Sequence, residues 1–322
     1  MKKVGRIAAR VIIGLLLLLI VLALVCLDTI DYRPYFRQPY YKETVARLHA
    51  TAKTNSLARG NLSAGFGAAK LTPTFPLPLA GYGERKGKRA AGAHDDLFVK
   101  AVALRVGNRT GIMFGADALI VPRDVSDAAA ARLKQEFGLG REQLYFSATH
   151  THCSIGGWGQ GIVGEAFAGP FNPQSPELFV NSIVAAAHAA MADLKPAEFG
   201  KGSFMAPEFI RNRLVGDLGK VDPEFSFAIL KQGDGRTGVI GSFSAHATVL
   251  NGRVMEYSAD YPGEWQRTVE KETAGFAVFL AGGVGSHGPV AGEQGFAGTE
   301  RMGRELAARL SKQLAQTPLT NS

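Results

Sequence analysis

The sequence predicts an α/β (mixed α+β) fold: one globular domain with mixed sheets, hairpins and flanking helices, preceded by one N-terminal transmembrane helix. Three observations carry that prediction. Short buried-strand patterns alternate with amphipathic helical patterns along the chain. Two strand–turn–strand segments with Gly in the turn read as β-hairpins, which excludes a purely parallel sheet. Strands and helices mix throughout, and no internal repeat period stands out.

The chain has 322 residues, 46% hydrophobic and 20% charged, enough for a sizeable core. That composition excludes intrinsic disorder, collagen and a simple coiled coil. Two cysteines, Cys26 and Cys153, exclude a disulfide scaffold and a four-cysteine zinc site. The net charge is +8, and four of the cations (Lys2, Lys3, Arg6, Arg10) precede residue 11. No basic stripe with interleaved aromatics is present, so nucleic acid is not an expected partner. A charged surface beside an anionic membrane accounts for the balance.

Taken in order, residues 1–10 are the basic flank of residues 11–27, VIIGLLLLLIVLALVCL, an uncharged run. At helical rise it spans roughly 25 Å, close to the hydrocarbon thickness of a bilayer. Cations before it and Asp28 after it orient the N-terminus to the cytoplasm and the rest outside. No A-x-A site follows, which favours an uncleaved anchor over a signal peptide. Residues 28–61 form a juxtamembrane segment. Its 32–41 stretch is aromatic and basic, and 43–52 has helical periodicity.

The globular domain is expected over 62–318. Within it, 97–106 and 111–121 form a hairpin, and 126–137 is a helix with Ser126 as N-cap and Gly138 as C-cap. A buried strand follows at 143–149 and a long helix at 176–194. A second hairpin at 225–245 precedes a helix at 262–273 with Pro262 at its start. A buried strand at 276–283 and a closing helix at 299–316 complete the set.

The sharpest chemical feature is Ala-Thr-His150-Thr-His152 directly after a buried strand. In extended geometry positions i and i+2 point the same way, so both imidazoles would face one site. Such a pair presents zinc ligands well, though two capping histidines are the plain alternative. His246 ends another predicted strand. Alone it reads as a core histidine; beside a second strand-end histidine site it strengthens the case for zinc. Ser286 and His287 lie in a Gly-rich turn that does not fit G-x-S-x-G. Asp117, Asp260 and Arg213 are candidate supporting groups, with ordinary loop ion pairs as their alternative. His94-Asp95 could orient a ligand or start a strand, and Cys153 reads as a buried bystander.

The ordered series AGFGAAKLTP, GYGERK, HDDLFVKAVAL, GADALIV, LYFSATHTHCSIGGWG, RNR, FSAHATVL, SADYPGEW and GFAVFLAGGVGSHGP resembles the N-terminal catalytic domain of neutral/alkaline non-lysosomal ceramidases. The likeness is strongest to the family's short bacterial members and runs from about residue 64 to about residue 311. It implies a zinc amidase that cleaves the N-acyl bond of ceramide. By motif, His150 and His246 take the ligand roles, and His152 and Arg213 lie beside the reacting amide; Asp260 is added as a catalytic candidate. The expected cofactor is Zn2+ and the expected partners are a lipid or N-acyl amide substrate and a membrane.

Two departures qualify the likeness. The family's G-D-x-S-P loop reads Gly285-Ser286-His287-Gly288-Pro289 here, with Gly288 at the Ser position. The family also draws a Glu and a Tyr ligand from chain beyond this loop, whereas the stretch after Pro289 reads mostly as one helix. A third ligand is therefore sought among His287, Asp117, Asp260 and Glu293. A catalytically degenerate lipid- or partner-binding relative, or a hydrolase of another amide or ester, stands beside the ceramidase reading.

Overall fold

The computed structural model describes residues 2–27, 31–54, 58–273 and 275–321. Met1–Leu57 and Ala58–Ser322 are separate compact units. The first contains α1 (Lys2–Cys26) and α2 (Pro39–Thr54). Val4–Cys26 is one helix long and apolar enough to cross a membrane. Asp28, which enters the orientation argument, lies outside the described residues. Helix α2 starts four residues before the expected 43–52 segment, with Pro39 at its first position, where a missing N–H costs nothing.

The second unit opens with β1 (Leu62–Lys70), β2 (Gly92–Ala93), β3 (Phe98–Val106), β4 (Arg109–Ala116) and α3 (Arg123–Phe137). Then come β5 (Leu144–Ala148), α4 (Gly161–Ala168), α5 (Gln174–Ala192), β6 (Lys195–Met205) and β7 (Ile210–Asn212). It closes with β8 (Glu224–Gln232), β9 (Thr237–Phe243), β10 (Glu256–Tyr257), α6 (Asp260–Thr273), β11 (Phe276–Ala281), β12 (His287–Pro289) and α7 (Gly295–Leu314). Both expected hairpins, β3–β4 and β8–β9, are present.

Eight strands form one mixed sheet in the order β11-β9-β8-β6-β1-β3-β4-β5. Pairing is parallel in β4–β5 and β9–β11 and antiparallel elsewhere in the sheet. At β1–β6 only Ser63↔Pro196 and Ala64↔Lys195 pair, and there the sheet folds over on itself. Phe66 of β1 consequently stacks on Phe276 of β11 at 5.3 Å. Three cores result. Val102, Leu230, Ile240 and Val278 fill the space between the two sheet halves. Alternate residues Val99, Ala101 and Ala103 of β3 face α3 and α5, while Ala277 and Phe279 of β11 face α6 and α7. The period-2 alternation thus makes a four-layer helix–sheet–sheet–helix sandwich.

Several expectations are corrected. Helix α3 begins at Arg123 behind Pro122, so Ser126 is not its N-cap. The Ser126 Oγ donates instead to the Arg123 carbonyl within the first turn, at 2.8 Å. Gly138 is the left-handed C-cap as expected. The strand expected to run to Val121 stops at Ala116, where the chain turns into the site. Strands β1 and β6 had no counterpart in the sequence reading. Their Gly-rich, partly charged sequences lack an alternating apolar signal, and in β1 the reason is steric. A Cβ on Gly65 or Gly67 would fall 2.1 or 2.2 Å from the α5 carbonyls of Ala190 and Ala186.

Candidate metal centre

Parallel pairing places the carboxyl ends of β4 and β5 together, and likewise those of β9 and β11. Loops leaving all four ends meet. Leu119 follows β4, His150 and His152 follow β5, His246 follows β9, and Val284 follows β11. Ligand sites gather at such strand ends because several independent loops converge there.

The local geometry differs from two residues on an extended strand. His150 holds φ +62°, the left-handed region that side chains enter at a cost of about 1–3 kcal/mol. β5 has already ended at Ala148, so the turn, and not strand alternation, brings His152 back toward His150. Their ring centroids lie 5.2 Å apart at 86°. His246 sits 4.5 Å from His150 and 4.8 Å from His152, centroid to centroid. One ligand nitrogen from each ring lies within 4.8 Å of the other two.

Hydrogen bonds fix two of these rings. His150 Nδ1 pairs with the Leu119 carbonyl at 2.6 Å, and His246 Nδ1 with the Val284 carbonyl at 3.0 Å. A carbonyl accepts only, so both Nδ1 atoms carry the proton and both Nε2 atoms present lone pairs. His152 Nε2 lies 2.8 Å from His246 Nε2. Its Nδ1 is buried against the Gly81 backbone. Burial holds the His150 ring below its ordinary pKa, and the Arg213 charge adds to the effect. Burial also depresses His246 to about 4, helped by His150 and Arg213. His152 falls to about 3 through burial and then the two neighbouring imidazoles.

Three neutral imidazoles with converging nitrogens suit a zinc ion, whose tetrahedral nitrogens stand roughly 3.3 Å apart. Two facing Nε2 atoms at 2.8 Å otherwise need a shared proton. The residues present fit the metal on both counts.

Arg213 is exposed at the rim. Its Nε donates to the Gly285 carbonyl at 2.9 Å, and its charge reaches both His150 and His246. Asp260, at φ +56°, is buried at the start of α6. Its Oδ2 accepts the Leu250 N–H at 3.0 Å and its Oδ1 the Tyr261 N–H at 2.6 Å. It therefore pins the 250–261 loop behind the triad, and burial pushes its pKa up to about 7. Asp117 is similarly occupied by the Phe98 N–H and the Gln266 amide. His287 Nε2 accepts the Asp222 N–H, and Glu293 is exposed. None of the four candidate third ligands joins the triad; its third member is His152. His94 stacks on Phe296 at 3.6 Å while Asp95 binds the Ala259 N–H and Arg267. Gly288 lies in β12 opposite Arg211. The Cys153 thiol is fully buried and pushed up to about 12 by that burial, which removes it as a nucleophile.

The sequence reading missed Tyr82 and Arg85. The Tyr82 ring packs on His152 at 4.8 Å, and the Arg85 guanidinium lies 4.8 Å from the centre of the same Tyr82 ring. Buried Arg85 donates to the carbonyls of Ala80, His152, Gly252 and Val254 and to the Cys153 sulfur. One cation thus ties three loops together behind the triad. The only local trace is the i, i+3 Tyr–Arg pair in a Gly-bracketed turn, and it does not announce burial.

A family model described as neutral/alkaline non-lysosomal ceramidase, N-terminal, matches residues 63–292. The chain is 27% identical over 244 residues to a neutral ceramidase of Mycobacterium tuberculosis, covering 69% of this chain and 37% of that protein. It is 24% identical over 245 residues to a neutral ceramidase of Pseudomonas aeruginosa, covering 70% and 36%. The crystal structure of neutral ceramidase from Pseudomonas aeruginosa matches with a TM-score of 0.73 at 22% identity, over 80% of this chain and 45% of that one. The chain thus spans little more than a third of the curated relatives it matches.

Proposed function

The chain belongs to the neutral/alkaline non-lysosomal ceramidase family, and from that premise we propose that it is a zinc-dependent hydrolase of the amide bond of ceramide or a related N-acyl lipid, held at a membrane by its N-terminal helix. The observation that carries this reading is the meeting of His150, His152 and His246 at one point.

Metal-binding histidines almost always donate their other N–H to an oxygen, which fixes tautomer and orientation. His150 and His246 do so, and we assign them as ligands. His152, the second His of the THTH segment, we assign to hold or pass a proton beside the scissile amide, its Nε2 facing His246 Nε2 at 2.8 Å. Zinc bound there supplies Lewis-acid polarisation and activates water at neutral pH. Arg213 places a fixed positive charge where the amide oxygen gains negative charge. Asp260 acts by holding the loop behind these groups. The cations at the start of α1, Lys2, Lys3, Arg6 and Arg10, support a cytoplasmic N-terminus, with the second unit on the outer side.

The test uses the purified full chain. Zinc near one per chain and release of fatty acid from an N-acyl lipid are expected, with both lost in His150→Ala. Full activity in that variant overturns the mechanism. Gly288 and the lack of a carboxylate in the triad favour a second reading, a non-catalytic lipid-binding relative. Retained zinc below about 0.1 per chain would select it, because catalytic zinc survives gentle purification.

A further inference from the structure

Two exposed apolar prongs flank the triad. The first is α4, where Ile162 is 91% exposed and Val163 and Phe167 are 72% and 58% exposed. The second is the turn after β7, where Leu214, Val215 and Leu218 are exposed, Leu218 at 94%. Scattered single apolar residues on a surface need no explanation, but two clusters of three that are each tied to one site do.

Both prongs are tied to the triad. The Phe167 carbonyl accepts the Gly81 N–H at 3.0 Å, and Gly81 lies directly against His152. On the other side Leu214 follows Arg213, whose Nε bonds the Gly285 carbonyl next to Val284, the residue that holds His246. One prong therefore stands beside His152 and the other beside His246.

The charge around them is positive on balance. The turn packed against the end of α4 carries exposed Lys86, Lys88 and Arg89, and the second prong is bracketed by exposed Arg211, Arg213 and Lys220. Against these six cations stand three exposed acids, Glu84, Glu165 and Asp217. Apolar tips ringed by cations suit an anionic phospholipid surface, where side chains enter the acyl boundary and cations meet headgroups.

We propose that α4 and the 214–218 turn dock on an anionic bilayer, so that the triad opens onto the membrane plane and takes its acyl-chain substrate directly from it. This rests on the lipid-hydrolase reading and deepens it, since a centre facing water would need the substrate to leave the bilayer first.

The experiment uses the full chain in vesicles, in a Cys26→Ser background, with a fluorescent label at Ile162→Cys, Leu218→Cys or Asn108→Cys. Asn108 lies in the β3–β4 turn at the opposite end of the sheet. Phospholipids brominated on the acyl chain quench labels that reach the hydrocarbon. With phosphatidylglycerol present, quenching at 162 and 218 about fivefold above that at 108 is expected, weakening in pure phosphatidylcholine. Equal quenching at all three positions overturns the proposal. So does shielding of 162 and 218 that rises with protein concentration in lipid-free detergent, which would assign the prongs to a second copy. As a second arm, Ile162→Asp with Leu218→Asp should slow hydrolysis of vesicle-borne N-acyl lipid about tenfold while a soluble short-acyl amide changes less than about twofold. Absence of hydrolysis in every arm with quenching intact would sink the hydrolase reading and leave the docking standing.

Discussion

Gly81 has φ +110°, and a Cβ there would stand 2.7 Å from both Cβ and Cγ of His152. Only glycine meets both conditions at once. Gly81→Ala should push the His152 imidazole off its neighbours while leaving His150 and His246, which are anchored through other loops. The expected outcome is a kcat reduced about a hundredfold with zinc content near wild type, since misplacement by about 1 Å has that cost. Parallel metal analysis and kinetics check it; loss of the zinc with the activity would show that His152 is a ligand. Residues of this kind explain how much of the site could be read in advance. His150 and His246 were legible because imidazoles after buried strands are rare and chemically loaded. His152 was legible as a participant but for the wrong geometric reason, since a left-handed His150 and not an extended strand aims it. Arg85 was illegible. A cation whose donors go to four carbonyls and a sulfur has no sequence partner to betray it, and its burial is set by loops up to 169 residues away.

At the scale of elements, α6 shows how a helix carries both packing and charge. Trp265 is fully buried against Phe225 at 5.4 Å and Phe279 at 5.6 Å, yet its Nε1 has no hydrogen-bond partner. Trp265→Ala should cost about 3–5 kcal/mol in chemical denaturation through the cavity left behind. Trp265→Phe should cost about 1–2 kcal/mol, because losing an unsatisfied N–H offsets part of the lost volume. The next residue of α6, Gln266, reaches Asp117 after β4 at 3.0 Å, and burial pushes the Asp117 carboxyl up to about 6. Between about pH 4 and pH 6 the folded state then keeps a proton that the unfolded chain has released. Stability accordingly falls as pH rises through that window and levels off above it. Asp117→Asn removes this slope, so its melting temperature relative to wild type should rise from pH 4 to pH 7; a flat difference would show that the carboxyl ionises freely. Elements with a strong period, such as the two hairpins and α5, α6 and α7, were legible from pattern alone. Strands β1 and β6 were not, because their residues answer to tertiary demands: glycines under α5 in β1, and in β6 the fold-over between the two sheet halves.

For the whole molecule, the question is whether the second unit needs residues 1–57 in order to fold. The second unit has its own three cores. It is also closed at its ends: the Leu62 N–H donates to the Asn321 carbonyl at 3.4 Å, and Phe199 of β6 exchanges backbone bonds with Thr320 at 2.7 and 2.9 Å. The start of β1 and the tail after α7 thus meet at the strands where the sheet folds over, so the unit's first and last residues stabilise the same seam. A domain closed in this way needs nothing from the residues before it in order to fold. A protein comprising residues 58–322 should therefore be soluble, monomeric at micromolar concentration, and melt within about 3 °C of the full chain measured in detergent. A melting point lower by more than about 8 °C would mean that residues 1–57 supply packing as well as a tether. The cut should also separate two contributions to catalysis. Turnover of a soluble short-acyl amide should be unchanged, because the triad's hydrogen bonds all lie within residues 58–322. Turnover of vesicle-borne lipid should fall about a hundredfold or more, because tethering raises the effective concentration of a site at its surface by that order. If both substrates lost activity equally, the N-terminal segment would belong to the chemistry and the tether reading would fail.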